Sequence, residues 1–499
     1  MGFDASVISG VVKFIEPEFN LTKLELGWSV ASLTLTSTLA MMLAGPLSDR
    51  FGRRLVLKYA AVLYAISAIG SALAPSFILL VIARMIGGFG VGASLIIAPM
   101  YIAEIAPPEK RGTLVSFNQL NIVIGISLAF FTNYLILRLG ASDAEWTKTL
   151  MLDEHNWRWM LGLETLPAIL YFVGLFAVPR SPRWLIMHGK EQSAKDIMLK
   201  YLPEDSAESE FSAIQENLTN AGDDKKAHIK ELFAPTLRLV LSIGIVVAVL
   251  QQITGINSVF FYAPMIFEQS GIGTDASFVQ AIIVGLTNLV FTVVAILFID
   301  RVGRKPLLTF GVTGIAISML ILAYGFGSAN YKLNRSDAQD IFNTQELALL
   351  EEVVDNTYDS DLSFKKAIIS GIGQDKFTNY ESSILKAATN VNSALILVAI
   401  IGFVASFAVS IGPVMWVLFA EMFPNRVRGK AISFVGLINS SIAFLVTFLF
   451  PWELETLGIS TTFLFYGLFA VFGVVFVVRL LPETKGRTLE QLEQELVGA

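Results

Sequence analysis

Long runs of apolar residues, separated mostly by short polar loops, make up most of this chain. A helix that crosses a bilayer needs about 20 mostly apolar residues, because each residue rises about 1.5 Å and the hydrocarbon core is about 30 Å thick. Eleven runs meet this requirement, near residues 27–47, 55–74, 77–99, 113–137, 157–178, 237–267, 277–299, 306–327, 391–420, 430–452 and 461–481. The pattern therefore predicts an all-α membrane protein that crosses the bilayer many times.

The first apolar segment is shorter than the eleven others. Residues 1–15 make up only about half a span, so the first helix is expected to be truncated at the N-terminus. Counting this segment gives twelve predicted helices.

Composition supports a membrane protein and argues against several other classes. Hydrophobic residues make up 54% of the chain and charged residues 16%, whereas soluble proteins carry about 25% charged residues. The net charge of −6 gives no indication of nucleic-acid binding. The chain has no cysteine and only three scattered histidines, so no metal site and no cofactor are expected.

Lysine and arginine are divided unequally between the two sets of short loops. The loops at 48–58, 107–112, 300–305 and 425–430 hold twelve of them, and the loops at 13–26, 75–76, 138–156, 268–277 and 453–461 hold four. Because cytoplasmic loops are enriched in these residues, the first set is expected on the cytoplasmic side, and both termini with it. The expected location is a bacterial inner membrane.

Two short motifs occur twice along the chain, in the same order. DRFGRR at 49–54 recurs as DRVGRK at 300–305, and EIAPPEKRG at 104–112 recurs as EMFPNRVRG at 421–429. Internal repeats of this kind are typical of secondary transporters built from two similar halves. The repeat therefore predicts two six-helix halves.

The repeat also suggests boundaries within the chain. We expect a first half at 1–178, a cytoplasmic helical linker at 179–236, a second half at 237–481 and a cytoplasmic tail at 482–499. The second half includes a polar outer segment, 328–390, which has no counterpart in the first half. That segment could be a small helical cap over the outer entrance or a tethered insertion.

Two charged residues fall inside apolar helices, where a charge costs several kcal/mol unless it is paired or functional. Asp4 lies about ten residues before the first polar loop, and Arg84 about eight residues after the next outer loop. Both are therefore expected roughly 13–15 Å from the same membrane face, close enough to meet. A carboxylate that binds and releases a proton there is what a proton-coupled carrier needs. The alternative is a permanent ion pair that fixes the first helix against the fourth.

A set of motifs resembles the sugar porter family of the major facilitator superfamily. These motifs are GPLSDRFGRR at 45–54, EIAPPEKRG at 104–112, PRSPRWL at 179–185, QQITGIN at 251–257, DRVGRK at 300–305, GPVMWVLFAEMFP at 412–424 and PETKG at 482–486. The stretch LVSFNQL at 114–120, together with QQITGIN, is most similar to bacterial xylose–proton symporters and related glucose carriers. The resemblance covers nearly the whole chain and implies the major facilitator fold.

The resemblance also implies a set of sugar-binding residues. They are Gln119, Gln251, Gln252, Asn257, Asn288, Trp416 and Asn439. Amides can donate hydrogen bonds to sugar hydroxyls and accept them, and an aromatic face suits the sugar ring. The alternative for the amides is hydrogen bonding between helices.

Irregular helices are expected beside these residues. Gly255 can loosen the seventh helix, and Gly412 with Pro413 should bend the tenth helix just before Trp416. The aromatic residues at 260–262 could line the pocket or pack in the core.

Four positions depart from the pattern of the resembled family. Ile126 stands where the xylose symporters have Gln and the glucose carriers have Ile, Phe261 replaces a Tyr, and Ser440 replaces a Trp. These changes favour a hexose slightly. Arg180 replaces an acidic residue of a cytoplasmic motif, so the ion pairs of the linker are expected to differ.

Charged residues at the inner face form a set that both halves repeat. Arg53, Glu104 and Arg111 belong to the first half, and Arg304, Glu421 and Arg428 are their repeat partners. The resemblance implies that these charges bridge helices and hold the cytoplasmic gate shut. The alternative is that they only set the topology and form solvated pairs, which stabilise little.

The expected function is proton-coupled symport of a monosaccharide, D-glucose or D-xylose, across the cell membrane by alternating access. The expected partners are the sugar, the proton and the lipid bilayer, and no obligate protein partner is evident. The same pocket would also serve a facilitative sugar uniporter. A non-transporting sugar sensor is disfavoured, because the tail after the last span has only about 18 residues. An enzyme is not expected, since the glycine-rich GFGVG lies within a membrane helix and not after a strand.

Overall fold

Helices account for most of the chain in the computed structural model, which describes residues 1–107, 110–201, 204–220, 229–424, 427–487 and 491. Eleven helical spans in the described part are long and apolar enough to cross a membrane. They are Lys23–Phe51, Arg53–Ala72, Phe77–Ile105, Phe117–Gly140, Asn156–Ala177, Pro235–Phe261, Thr274–Ile299, Arg304–Gly327, Ser393–Met422, Arg428–Thr456 and Ile459–Leu480. The eleven predicted spans are confirmed, and the chain is a multi-pass membrane protein.

Within the described residues, eleven helices precede the second half of the chain. They are α1 (Gly2–Glu18), α2 (Lys23–Phe51), α3 (Arg53–Ala72), α4 (Phe77–Ile105), α5 (Arg111–Gly140), α6 (Glu145–Thr149), α7 (Asn156–Gly162), α8 (Thr165–Ala177), α9 (Pro182–Met187), α10 (Glu191–Tyr201) and α11 (Glu204–Asn220). Two short 3₁₀ helices, Ile229–Phe233 and Pro235–Leu237, lead into the next span.

The described part of the second half contains the remaining helices and three short strands. The helices are α12 (Arg238–Ile253), α13 (Ile256–Phe261), α14 (Ala263–Glu268), α15 (Thr274–Val302), α16 (Arg304–Gly327), α17 (Arg335–Ile341), α18 (Thr344–Leu349), α19 (Asp361–Ile372), α20 (Gln374–Ala388), α21 (Ser393–Val409), α22 (Ile411–Met422), α23 (Arg428–Thr456) and α24 (Ile459–Leu480). The strands are β1 (Asn330–Lys332), β2 (Thr357–Tyr358) and β3 (Thr389–Asn390).

Three of the predicted spans are interrupted. When the short first segment is counted as the first helix, the sixth helix breaks at Glu164, the seventh at Gly255 and the tenth at Ser410. Gly255 has a φ of 88°, in the left-handed region that glycine adopts without a steric cost. The predicted loosening at Gly255 is confirmed, and the break in the tenth span comes just before the predicted Gly412 and Pro413.

Contacts between residues divide the chain into two compact units. Unit 1 is made of Met1–Asp4, Ser32–Gly125 and Leu161–Glu231, and unit 2 of Ala5–Ala31, Ile126–Met160 and Leu232–Ala499. Each unit has its own buried apolar residues and its own cluster of polar side chains.

In unit 1, glycines let α4 approach its neighbours closely. A Cβ atom on Gly88 would lie 2.4 Å from the carbonyl oxygen of Leu33, and one on Gly90 would lie 2.9 Å from that of Ala60. The backbones of α2 and α3 therefore pack tightly against α4, as small residues allow in membrane helices. This packing buries Arg84, one turn before Gly88, so that only 1% of its surface is exposed.

In unit 2, residues 329–390 fold as a small domain, called the cap below. Strand β1 pairs antiparallel with β2 on one side and β3 on the other. Helices α17–α20 complete the cap around a core in which the rings of Tyr331 and Phe364 stack 5.7 Å apart. The inserted segment is thus a folded domain and not a loose tether, and its small sheet was not predicted.

The cap is attached to the membrane helices of unit 2 by buried polar contacts. Lys365 donates to the side-chain oxygen of Gln269 at 2.7 Å, and Gln269 donates to Glu381 at 3.2 Å. Burial acts to raise the pKa of Glu381, but Lys23 and Lys365 outweigh it and hold that pKa below its usual range. Glu381 therefore stays ionised and attracted to both lysines.

Candidate functional site

The first polar cluster lies in unit 1 and is centred on Asp4. The side chains of Asp4 and Arg84 are buried, and their charges attract each other. Asp4 belongs to the first turn of α1, and Arg84 to the third turn of α4. The structure brings these residues together, as their depth along the sequence pattern predicts. Their role in proton coupling stays a prediction.

A second buried carboxyl group, that of Glu164, faces Asp4. Glu164 lies where α7 gives way to α8, and only 4% of its surface is exposed. Both Asp4 oxygens and Glu164 Oε1 lack a hydrogen-bond donor among the groups that the structure describes. Two buried carboxylates repel each other when both are charged, and a hydrogen bond between them requires a proton on one. The pair is therefore suited to hold a proton.

Glu164 was not predicted as a site residue, although the sequence carries a signal for it. Glu164 is an ionisable residue inside the apolar run 157–178, where its charge is costly for the same reason as that of Asp4. The apolar pattern does not show that the helix breaks at this residue, or that the break lies beside α1. Those two facts depend on tertiary packing.

A cavity of about 520 Å³ borders Glu164 within unit 1. Polar side chains line part of it, among them Glu164, Tyr64, Tyr171, Asn118 and Asn121. One water molecule takes up about 30 Å³ in the liquid, so this space has room for many waters. The cavity is therefore large enough for water to reach Glu164.

The second polar cluster lies in unit 2 and consists of four amide side chains. Gln252 Nε2 donates to Gln251 Oε1 at 3.1 Å and to Asn439 Oδ1 at 3.2 Å. Asn257 Nδ2 donates to Gln252 Oε1 at 2.9 Å, and Asn439 Nδ2 donates to Gln251 Oε1 at 2.8 Å. Four of the seven predicted sugar-binding residues are thus joined in one neutral network.

The interruption at Gly255 places Asn257 beside Gln252. Helix α12 ends at Ile253, and α13 begins at Ile256. In a continuous helix, residues five apart point about 140° away from each other around the axis. The left-handed turn at Gly255 rotates α13 relative to α12, and the Asn257 amide then reaches Gln252.

Gln251 connects this network to the break in the tenth span. Its Nε2 donates to the carbonyl oxygens of Ile411 at 3.1 Å and Gly412 at 3.2 Å. Trp416 follows one turn later on α22, and 46% of its surface is exposed. Its indole ring lies beside Gly436 of α23, where a Cβ atom would be 3.6 Å from it. The exposed ring is available to pack against a sugar.

The other predicted binding residues lie elsewhere on the spans. Asn288 of α15 is buried in unit 2, and Gln119 of α5 has an exposed side chain in unit 1. Among the neighbouring aromatic residues, Phe260 and Tyr262 are buried, and the Tyr262 hydroxyl donates to the carbonyl oxygen of Thr447 at 3.0 Å. Core packing is therefore the better interpretation of those two residues.

The inner charged residues of unit 1 form a compact group, called the first inner corner. Arg53 at the start of α3 pairs with Glu104 of α4 at 3.0 Å. Ser181 Oγ donates to the other oxygen of Glu104 at 2.5 Å. The side chain of Arg111, which belongs to the same predicted set, lies outside the described residues.

Unit 2 repeats this group, called the second inner corner. Arg304 at the start of α16 pairs with Glu421 of α22 at 2.7 Å, and Thr484 Oγ1 donates to the other Glu421 oxygen at 2.5 Å. Arg428 donates to the carbonyl oxygen of Phe423 at 3.0 Å. The two hydroxyl residues, one in each corner, were not predicted. The charges bridge helices within each unit, and their role as a gate stays a prediction.

Known proteins resemble this chain over nearly its whole length. The profile of the family described as "Sugar (and other) transporter" matches residues 1–340 and 373–496, and the unmatched residues between them belong to the cap. The D-xylose-proton symporter of Escherichia coli (strain K12) is 34% identical over 528 residues, covering 99% of this chain and 92% of that protein. The glucose transporter GlcP of Staphylococcus epidermidis is 31% identical over 495 residues, covering 99% and 94%. The inward-open structure of the xylose transporter XylE from E. coli matches with a TM-score of 0.74 and 32% identity, covering 99% and 96%.

Proposed function

The chain belongs to the sugar transporter family, and we propose that it imports a monosaccharide together with a proton. The observation that carries this proposal is the division of polar groups between two clusters. A buried acidic pair beside an arginine lies in unit 1, and a neutral amide network lies in unit 2. The first suits a proton, and the second suits a neutral polyol.

The amide network supports a sugar as the substrate. Each amide can donate and accept, so the network can exchange its internal hydrogen bonds for bonds to hydroxyl groups. Its members carry no charge, and a sugar phosphate or an organic acid would need a cation there. The exposed indole of Trp416 adds an apolar face for a pyranose ring.

D-glucose and D-xylose are the first candidates for the sugar. One relative is a xylose symporter and another a glucose transporter. Ile126, which the resembled glucose carriers share, favours a hexose slightly. A site that hydrogen-bonds a hydroxyl can reject an analogue without it strongly, so a single contact decides between these sugars.

The acidic pair supports coupling to protons. When Arg84 is close, attraction favours an ionised Asp4, and when the pair loosens, burial favours the neutral acid. A proton taken up by Asp4 or Glu164 removes a buried negative charge. The two halves, 1–178 and 237–481, then rock around the bound sugar and expose it to the other side.

The proposed orientation follows from the loop charges. Both termini, the linker and the two inner corners face the cytoplasm, and the cap faces outward, since the basic loops are on the cytoplasmic side. The proposed location is a bacterial inner membrane, where a proton gradient is available to drive uptake.

Counterflow of labelled sugars in proteoliposomes tests this function. The protein should exchange D-glucose or D-xylose without a pH gradient, and accumulate the same sugar when the outside is made acidic. Exchange without accumulation would identify a uniporter and contradict proton coupling. A disaccharide or an organic acid as the sole substrate would contradict the assignment of the amide network.

A further inference from the structure

The two inner corners are built alike except at one position. In both, an arginine at the start of a helix pairs with a glutamate, and a hydroxyl group donates to that glutamate. The residue just before the hydroxyl is Glu483 in unit 2 and Arg180 in unit 1. The repeat thus has a negative charge in one corner and a positive charge at the equivalent place in the other.

In the second inner corner, Glu483 caps the start of α16. Its Oε1 accepts from the backbone N–H of Arg304 at 3.0 Å, and its Oε2 accepts from that of Lys305 at 3.1 Å. Anions are favoured at this end of a helix, because the first N–H groups lack partners within the helix and the dipole is positive there. The carboxylate comes close to the preceding Gly303, where a Cβ atom would lie 2.8 Å from Oε2.

In the first inner corner, a cationic groove takes the place of this carboxylate. Helix α3 begins after Gly52, whose φ of 92° resembles the 105° of Gly303 before α16. A groove of about 150 Å³ opens at this point. Its polar lining consists of Arg53, Arg54, Lys58, Arg180 and Ser181, and no acidic residue is found among the described residues that line it.

Among the described residues that line the groove, no carboxylate balances the charges of Arg54, Lys58 and Arg180. Arg54 donates to the carbonyl oxygens of Leu175 and Phe176, both at 2.7 Å, and these acceptors are neutral. Lys58 lies 3.2 Å from the centre of the Phe176 ring and is repelled by Arg54 and Arg180. Like charges gathered around one groove favour an anion with several acceptor oxygens, and phosphate is such an anion.

The groove lies at the boundary of the membrane. It is formed by the first turns of the span Arg53–Ala72, on which Leu55 and Tyr59 are 41% and 63% exposed. Apolar side chains so exposed on a membrane span face lipid, and basic groups at a span's end attract anionic headgroups. We propose that this groove binds the phosphate of an anionic lipid headgroup, which supplies the negative charge that Glu483 supplies in the second inner corner.

Lipid binding by purified protein in detergent tests this site. Native mass spectrometry during titration with phosphatidylglycerol should show tighter binding than with phosphatidylcholine. The variant Arg180→Glu should weaken phosphatidylglycerol binding by about tenfold or more, because charge reversal turns attraction into repulsion. This variant copies the arrangement of the second inner corner, so it should fold. The matched control is Arg335→Glu in the cap, which reverses an exposed charge and should leave lipid binding unchanged.

A second variant and a second probe complete the test. Lys58→Gln should also weaken phosphatidylglycerol binding, and sugar counterflow should continue in both groove variants, since neither residue belongs to the polar clusters. Binding of phosphatidylglycerol by Arg180→Glu at the strength of the unaltered protein would overturn the proposal. Equal binding of the two lipids would overturn it as well. Displacement of the lipid by inorganic phosphate would show a site for a free anion and make the lipid assignment wrong.

Discussion

The polar clusters of the two units use opposite chemistry. The cluster of unit 1 combines two buried carboxyl groups with an arginine, and three carboxyl oxygens receive no hydrogen bond from the described residues. The cluster of unit 2 consists of neutral amides that are joined by hydrogen bonds of 2.8–3.2 Å. Burying the charges of the first cluster costs free energy. The second cluster is neutral, and its amides form hydrogen bonds with one another.

This difference separates two tasks. A buried acid changes its charge when a proton arrives, and the membrane interior penalises charge, so protonation can shift a conformational equilibrium. Amides stay neutral, but they can exchange one hydrogen-bond partner for another at little net cost in free energy. In the proposed function, unit 1 therefore couples transport to protons, and unit 2 provides much of the recognition of sugar hydroxyls.

Replacing Asp4 with Asn should have the largest effect, because it removes the ionisable group without changing its size. Uptake driven by a pH gradient should be lost completely, whereas sugar binding and some exchange should remain. Uptake and counterflow by the same proteoliposomes separate these outcomes. If Asp4→Asn still accumulates sugar against its gradient, the coupling site lies elsewhere.

Replacing Gln252 with Ala should weaken sugar binding without affecting the acidic pair. The loss should be about 1–3 kcal/mol, or about 5- to 150-fold in affinity, because buried hydrogen-bonding groups lose a partner. Equilibrium binding of labelled sugar measures this change. Gln192→Ala is the matched control, since Gln192 is exposed on the linker and bonds only to Asp196 among the residues described. Unchanged affinity for the sugar in Gln252→Ala would show that this amide does not bind the sugar.

Replacing Glu164 with Gln should slow proton-driven uptake without abolishing it, because Asp4 can still accept a proton. Counterflow should continue. Initial rates of uptake at several pH values test this. Unaltered rates and pH dependence in Glu164→Gln would show that Glu164 takes no part in coupling.

Neutralising the two inner corners should have the smallest effect. Glu104→Gln and Glu421→Gln together should raise the inward-open population by about fivefold, which corresponds to about 1 kcal/mol. Glu104 should contribute more, because the Arg53–Glu104 side chains are 4% and 8% exposed, against 11% and 24% for Arg304–Glu421. Distances between spin labels on the cytoplasmic ends of the halves report this population. Identical distance distributions would contradict the gate.

The membrane spans were predictable from sequence because the length of an apolar run is a local property. The break at Gly255 was predictable for the same reason, since glycine between polar residues on a span weakens the helix. The sheet of the cap was not predictable, because strands of two or three residues are too short to show an alternation of apolar and polar residues. Its strands β2 and β3 pair with β1 across long intervals of sequence.

The candidate site was only partly predictable. The amides and Asp4 were recognisable as polar residues within apolar spans, and this can be seen for each residue without knowledge of its partners. Their partners did not stand out, because the contact of Glu164 with Asp4 depends on how three helices pack. Ser181 and Thr484 gave no signal, since a hydroxyl in a polar loop is ordinary until its carboxylate partner is known.

The turn at Gly255 has a consequence for how this sequence can diverge. The ring of Tyr466 occupies the space beside Gly255, where a Cβ atom would lie 2.4 Å from it. A smaller residue at position 466 would relieve that clash, but the φ of 88° would still disfavour any other L residue at position 255. A descendant of this protein that replaces the glycine must therefore change both the turn at position 255 and the packing of the Tyr466 ring.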